Sequence, residues 1–409
     1  MNDAISYWEK KHSSILVRKR IFNGVLPAVL MALAVGQIYA FTIFSERIAE
    51  YIGRPQAKVQ FAFSLGIFFL GMGAAFFGKI VEKNIRLSAF VGIALFISGL
   101  CVTGIGINMK SLLLVDLGYG FLLGLGTGVI YITPVKTLML WFQEHKAIAA
   151  AIPIISFGLG SSLCTLIDKA LKNSFDITKI FFVLAAIYVL PMLLGAVLIL
   201  KPAAAVRAQH KLDALPGAQS GFTYGRLLSN GWFLRAWLFM FLNISCGLSL
   251  IPLSKQLMGK VGYEEALITL VITGCGLMNG GGRLIFAWWS DKLARRINIL
   301  LILLAISLGV MLLSFWPMAI GITLLVINAC YGAGFSTIPA VLADHFGMDN
   351  ISKIHGAVLS AWGFAGLVGN QVSLRVEAKW GLNGVIVMLA FFYALNMLNV
   401  LTLRKNAKA

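Results

Sequence analysis

Acidic residues are scarce in this 409-residue chain: sixteen Asp and Glu stand against 34 Lys and Arg, and charged residues make up 12% of the whole. A soluble domain carries about 25% charged residues. A water-facing globular surface is therefore excluded, and with it disorder, a nucleic-acid-binding module and a secreted disulfide scaffold. The five cysteines, Cys101, Cys164, Cys246, Cys275 and Cys330, fall singly inside apolar runs and never as a close pair, which argues against zinc spacing and a disulfide framework. An intramembrane enzyme needs clustered His, Cys or paired carboxylates at depth. None is present, so no catalytic residue, metal or cofactor is expected, and the chain reads as a non-enzyme.

What the chain has is apolar length: 59% hydrophobic residues and a mean hydropathy of +0.87. Runs such as LSAFVGIALFISGLCVTGIGI from Leu87 are continuous, whereas barrel strands would alternate over about ten residues. At about 20 apolar residues per crossing, the length accommodates about twelve helices. The fold class expected is therefore an all-α polytopic membrane protein. Residues 1–20 form a polar N-terminal segment ending in Arg18, Lys19 and Arg20, and the apolar stretch behind it is too long for a signal-peptide core, so it reads as an uncleaved first helix. Six spans fill 21–200, the first followed by spans near 57–81, 87–107, 111–141, 147–168 and 179–200. The polar stretch 201–231 is a linker, too short to hold a receptor's output domain. Six more spans fill 232–403, near 233–257, 265–289, 297–316, 318–343, 354–374 and 382–403, before a basic tail at 404–409. Two pseudosymmetric six-helix bundles are the expected architecture.

The formal net charge of +18 is resolved by where the cations sit. The two termini, the linker and the even-numbered connections hold roughly twice as many Lys and Arg as the odd-numbered connections, so the positive-inside rule places both termini and the linker in the cytoplasm, a bacterial inner membrane being the expected setting. The partners expected are the lipid bilayer, whose anionic head groups suit this charge, and a small organic anion; no nucleic acid is needed, and the protein reads as a monomer.

A short repeat marks the halves. GKIVEKNIR from Gly78 follows the second span and AWWSDKLARR from Ala287 the eighth; aligning Glu82 with Asp291 gives an acid, a Lys and, two residues on, an Arg in both copies. Gly78, Glu82, Lys83, Arg86, Asp291, Lys292 and Arg295 are thus candidate gating residues, able to bond across to helix ends and close one side of the protein. The spacing resembles the loop motif of the major facilitator superfamily, G-x-x-x-D-[RK]-x-G-[RK], with Ile85 and Ala294 where Gly is usual and Ala287 for the leading Gly of the second copy.

An ionisable side chain near the bilayer centre costs at least about 2.5–3.5 kcal/mol, so each one is a functional candidate. Arg283 lies eight residues before Asp291, about 12 Å of helix and close to the midplane. Asn279, one turn earlier, can hydrogen-bond to it but cannot neutralise it. A guanidinium there suits a carboxylate, which its planar fork accepts through two parallel bonds. Lys136, a turn and a half from the end of the fourth span, is read equally as a snorkelling lysine and as a second substrate contact. Asp116 reads as solvated near the outer surface and His355 as an interfacial histidine. Beyond Asp116, the predicted spans offer no intramembrane carboxylate for a proton-driven drug or sugar carrier, the runner-up reading. Glycines 118, 120, 124, 126 and 128 in the fourth span and 158 and 160 in the fifth would let helices approach. Tyr39, Tyr131 and Tyr331 fall in spans one, four and ten, which face the cavity of a two-bundle carrier.

Over nearly its whole length the chain resembles the oxalate:formate antiporter group and its bacterial monocarboxylate-transporter relatives within that superfamily. The resemblance is carried by GQIYAFTIF from Gly36, VQFAFSL from Val59 with Gln60, GLGTGVIY from Gly124, WFQEHKAIAAAIPIISFGLGS from Trp141, NGGGRLIFAWWSDKLARR from Asn279 and HFGMDNISKIHGAVLSAWGFAG from His345. It implies a secondary carrier of small anions in which Arg283 binds substrate and Tyr39, Gln60, Tyr131 and Tyr331 line the cavity. Oxalate antiporters carry a second-cation lysine in the eleventh span where this chain has Trp362. The resemblance therefore favours monocarboxylates of the formate, lactate and pyruvate class, with oxalate or another dicarboxylate as the alternative if Lys136 supplies the missing charge. Mammalian monocarboxylate carriers have an acid where Asn279 stands, so their proton coupling does not carry over.

Overall fold

The computed structural model describes residues 15–203 and 224–405. Among these residues there is no strand. Eleven helices are long and apolar enough to cross a membrane, and a twelfth, Asn298–Leu313, is apolar but shorter. In chain order they are α1 (Ile15–Ile43), α2 (Gln56–Lys83), α3 (Ile85–Asn108), α4 (Leu112–Trp141), α5 (Lys146–Ser174), α6 (Ile177–Leu198), α7 (Gly231–Lys260), α8 (Glu265–Lys292), α9 (Asn298–Leu313) and α10 (Ile320–Phe346). The last helical stretch, Ile351–Lys405, is broken at Gly381, whose φ of 68° belongs to the left-handed region open to glycine. We call the part before the break α11 and the part after it α12. Most of the linker, 204–223, lies outside the described residues.

Local chemistry sets the helix starts. The side chains of Asn84, Ser111 and Asn230 accept the backbone N–H groups of Leu87, Leu114 and Phe233, capping α3, α4 and α7. Pro134, Pro153, Pro191 and Pro339 sit within helices, where neighbouring helices can satisfy the backbone groups that a proline frees. The predicted end of the fifth span needs correction. The sequence reading stops it at Asp168, the first charge, but α5 continues to Ser174 because Asp168 is buried against other helices rather than facing water.

The two sets of six helices repeat one packing scheme. In the first, α1 packs on α5, α2 on α4 and α3 on α6; in the second, α7 packs on the Ile351–Lys405 stretch, α8 on α10 and α9 on α10 and that same stretch. The halves meet where α2 lies along α11 and where α5 lies along α8 and α10. Outward-facing Leu190, Leu277, Leu270, Leu166 and Phe76 are each more than half exposed. Such a surface is stable in lipid and not in water.

Candidate functional site

Arg283 sits on α8 in the middle layer, 8% exposed. Gly282 beside it allows α8 to press on α10: a Cβ there would lie 2.2 Å from the Ala329 carbonyl oxygen. The Ser336 hydroxyl of α10 donates to the Arg283 carbonyl at 3.0 Å, fixing the arginine's backbone. The guanidinium reaches across to α5, where Nη1 donates to the Ile154 carbonyl. Its Cζ lies 5.9 Å from the Phe335 ring centroid. No carboxylate pairs with it among the described residues, and its Nε has no partner.

Around it stands a wall of rings. The Tyr131 ring is 5.7 Å from both Phe157 and Trp362, Trp362 is 4.7 Å from Phe335, Tyr331 is 5.4 Å from Phe335 and Tyr39 is 5.4 Å from Phe157. The Arg283 charge reaches Tyr39, Tyr131 and Tyr331. Several polar atoms here are buried without partners: Tyr131 Oη, Trp362 Nε1, Arg283 Nε and His355 Nε2. Buried polar atoms are normally satisfied. A cluster of unmet donors beside one unneutralised cation has the chemistry of an anion receptor.

Of the residues singled out in the sequence, Arg283, Tyr39, Tyr131, Tyr331 and Trp362 come together here. Asn279 is half-buried one turn from Arg283 on α8, with its carbonyl oxygen against Gly332 of α10. Gln60 lies apart, exposed in the first turns of α2. Lys136 also lies apart: it neither snorkels nor faces the rings but is buried in a bond to Glu82 Oε2 at 2.8 Å and to the Met348 carbonyl. His355 is 2% exposed, with its ring 6.3 Å from that of Tyr131, so it is a core residue and not an interfacial one. Asp116 is half-buried with one oxygen unpartnered, less solvated than its position suggested. Phe157 and Phe335 were missed, because a phenylalanine in an apolar helix gives no sign of which way it points.

The repeated loops form a second layer, at the end of the molecule bearing the described termini. Glu82 accepts from Lys136 and from the backbone N–H of Ser352, in the first turn of α11. Asp291 accepts the N–H groups of Ala147 (3.1 Å) and Ile148 (3.0 Å), in the first turn of α5. Each acid thus caps a helix N-terminus of the other half, where the helix dipole favours negative charge. A Cβ on Gly78 would lie 2.7 Å from the Lys353 Cα, so only glycine lets α2 approach α11 this closely. The basic positions of the repeat behave otherwise than expected. Lys83 and Arg295 are exposed, Arg86 donates to the Val197 carbonyl at 2.7 Å, and Lys292 lies 3.7 Å over the Trp288 ring. Arg296, one residue past the aligned position, bonds Asp291 at 3.1 Å and Asp344 at 2.9 Å. Burial works against the Arg296 charge, but Asp344 and Asp291 outweigh it and hold its pKa above the usual arginine value. Lys146 adds a 3.4 Å pair with Asp344. Hydrogen bonds that join the two halves lie in this layer and at Arg283.

The family model of the Major Facilitator Superfamily matches residues 25–370. The chain belongs to the Major Facilitator Superfamily. Superfamily relatives include the oxalate:formate antiporter of Oxalobacter formigenes, 24% identical over 389 residues that cover 92% of this chain and 90% of that protein. An uncharacterized MFS-type transporter of Escherichia coli K12, YhjX, is 24% identical over 359 residues, covering 84% of this chain and 85% of that one. Apicoplast pyruvate carrier 1 of Toxoplasma gondii is 22% identical over 355 residues, covering 70% of this chain and 63% of that one. The superfamily fold is shared with the solved structure of FucP in the outward conformation, at a TM-score of 0.68 and 15% identity over 94% of this chain and 99% of that one. The protein is a multi-pass membrane transporter of this superfamily and not an enzyme.

Proposed function

We propose that this transporter is a secondary carrier of small organic monoanions, of the formate, lactate and pyruvate class, working by alternating access. The observation that carries the reading is Arg283: one buried cation in the layer between the halves, with no counter-ion among the described residues and with unmet donors from Tyr131 and Trp362 beside it. One guanidinium neutralises one carboxylate. A second carboxylate would lose its hydration among Phe157, Phe335 and Trp362 without compensation. Two relatives, an oxalate:formate antiporter and a pyruvate carrier, support carboxylate as the substrate class. The dicarboxylate alternative needs a second cation, and Lys136 is already neutralised by Glu82.

The charge bias of the loops supports a cytoplasmic position for the terminus-bearing end. On that reading Gly78, Glu82 and Asp291 close the cytoplasmic gate, with Lys136, Ser352 and the first turn of α5 as their partners, and the carrier stands closed to the inside. The halves then exchange access by rocking about the Arg283 layer. The domain scheme of bundles at 21–200 and 232–403 flanking a cytoplasmic linker belongs to the same proposal. A cysteine at exposed Ser229 should react with an impermeant maleimide only from the cytoplasm. Substrate class is tested by uptake of labelled formate, lactate, pyruvate and oxalate into proteoliposomes, with Arg283→Ala as the inactive control; preference for oxalate, or normal uptake by the variant, overturns it.

A further inference from the structure

A second buried ionisable group lies in the first half, outside the site just described. Asp168 of α5 is 0% exposed and stands six residues before the helix end at Ser174, about 9 Å from the face opposite the described termini. Its Oδ2 accepts from Gln37 Nε2 at 2.7 Å, and its Oδ1 has no partner. Gln37, on α1, is held from two further helices: Tyr188 of α6 donates to its side-chain oxygen at 2.7 Å, and Tyr119 of α4 donates to its backbone carbonyl at 2.6 Å. The titratable groups that feel the Asp168 charge are Tyr119, Tyr188 and, one turn back on α5, Cys164. None of these is a cation, and no salt bridge involves Asp168 among the described residues. A carboxylate buried without a counter-ion is far more costly than the neutral acid. A proton on Oδ1 removes that uncompensated charge.

The backbone connects this acid to the substrate layer. α1 is interrupted at Gly36, where a Cβ would lie 2.3 Å from the backbone carbon of Gly160 on α5, and it continues through a short turn of helix over Gln37–Ala40 and a tighter one over Phe41–Ile43. Gln37 and Tyr39 sit two residues apart on that interrupted segment. Gln37 binds Asp168, while the Tyr39 ring packs on Phe157 and lies within the field of Arg283. Whatever moves Gln37 therefore moves a wall of the substrate site.

We infer that Asp168 is a proton-binding site that couples transport to the proton gradient through the Gln37–Tyr39 segment of α1. Loading adds one proton to the carboxylate at Oδ1 and makes it a neutral acid. Release breaks that O–H bond heterolytically, gives the proton to water and leaves a carboxylate that draws the Gln37 amide more strongly, shifting Tyr39 against Phe157. One proton moves per cycle. The inference rests on the proposed carrier function for its link to substrate but not for the proton site itself.

The test has one arm without substrate and one with it. Infrared spectroscopy of the purified full-length protein in lipid, titrated with pH, should show a protonated-carboxyl band that is missing in Asp168→Asn. Gln37→Leu, which removes the one hydrogen bond to the carboxyl, should shift that band to higher frequency. In proteoliposomes with [14C]pyruvate as probe, acid outside should drive accumulation by wild type; Asp168→Asn should lose at least tenfold of it while keeping pyruvate:pyruvate exchange. Wild-type gradient-driven uptake by Asp168→Asn overturns the coupling, and an unchanged carboxyl band overturns the proton site. If wild type does not exchange pyruvate, the monocarboxylate reading fails and the infrared arm decides the proton site alone. If Asp168→Asn does not fold, the Gln37→Leu band decides it: a shift supports the assignment, and no shift overturns it.

Discussion

The proposed gate layer and the Arg283 layer are both built from charged side chains between the same two halves, yet they treat those charges in opposite ways. In the gate, Glu82, Asp291, Arg296, Asp344, Lys136 and Lys146 all have ionic partners, and both repeat acids also take backbone N–H groups from a helix start across the interface. In the Arg283 layer a cation is buried with no acid beside it among the described residues, and polar atoms on three neighbouring rings are unmet. A layer whose charges are satisfied within the protein is stable in this one conformation and must be broken to reach another. A layer left unsatisfied is completed by something that is not the protein. On the proposed function, the contrast separates residues that hold a state from residues that hold a substrate.

The largest expected effect comes from removing the unpaired charge. Arg283→Ala should abolish uptake of carboxylates while leaving thermal stability near wild type, and Arg283→Lys should also be severely impaired, because an ammonium lacks the planar fork. Uptake and melting temperature measured on the same preparations check both. Unfolding of the Ala variant would show Arg283 to be a structural ion and collapse the comparison.

Next is the second position of the site. Trp362→Lys places a cation beside Tyr131 and Phe335, and it should shift preference from monocarboxylate toward oxalate by about tenfold, or about 1.4 kcal/mol. Competition of unlabelled oxalate against labelled pyruvate reads this directly. A variant with unchanged preference would place the second end of the substrate elsewhere.

In the gate, Glu82→Gln leaves Lys136 buried without its counter-ion, at a cost of order 3 kcal/mol to the closed state. Alkylation of a cysteine introduced in this layer should therefore become faster from the terminus-bearing side. Lys136→Gln should open the gate likewise without changing substrate preference; a selective loss of oxalate transport would instead revive the dicarboxylate alternative. Asp291→Asn should have the smallest effect, about 1 kcal/mol, because it weakens a cap on α5 while Arg296 keeps Asp344. Equal effects at Glu82 and Asp291 would mean that the two copies of the repeat act as a symmetric pair, despite their different wiring.

Much of this was legible in the chain. Continuous apolar runs bounded by charge gave the helices, because lipid forces every backbone group to pair within its own segment. Arg283 was legible for the same reason: a charge in an apolar run is too costly to be incidental. The repeat acids Glu82 and Asp291 were legible through spacing, but their basic partners were not. Arg296 replaces the aligned Arg295 because its bonds to Asp291 and to Asp344 of α10, in the same half, depend on where α8 ends, which one residue of loop geometry changes. Asp168 was read as the end of a span for lack of a partner nearby. Its partner Gln37 lies 131 residues away. The only local sign was the run Gly160, Cys164, Asp168 and Leu171 at helical spacing, all buried on one face of α5.

By itself the sequence determined the solvent, the helices, the family likeness and the one cation placed at depth, since each follows from composition or from spacing along a single segment. Only the tertiary structure decided which charges are answered. It gave Lys136 to Glu82, buried Asp168 against Gln37, enclosed His355 and left Arg283 with open donors. The physical reason is that desolvation is a property of one side chain in its own helix, whereas compensation for it is made by groups on other helices. Which of those groups come within hydrogen-bonding distance is fixed only when the helices pack.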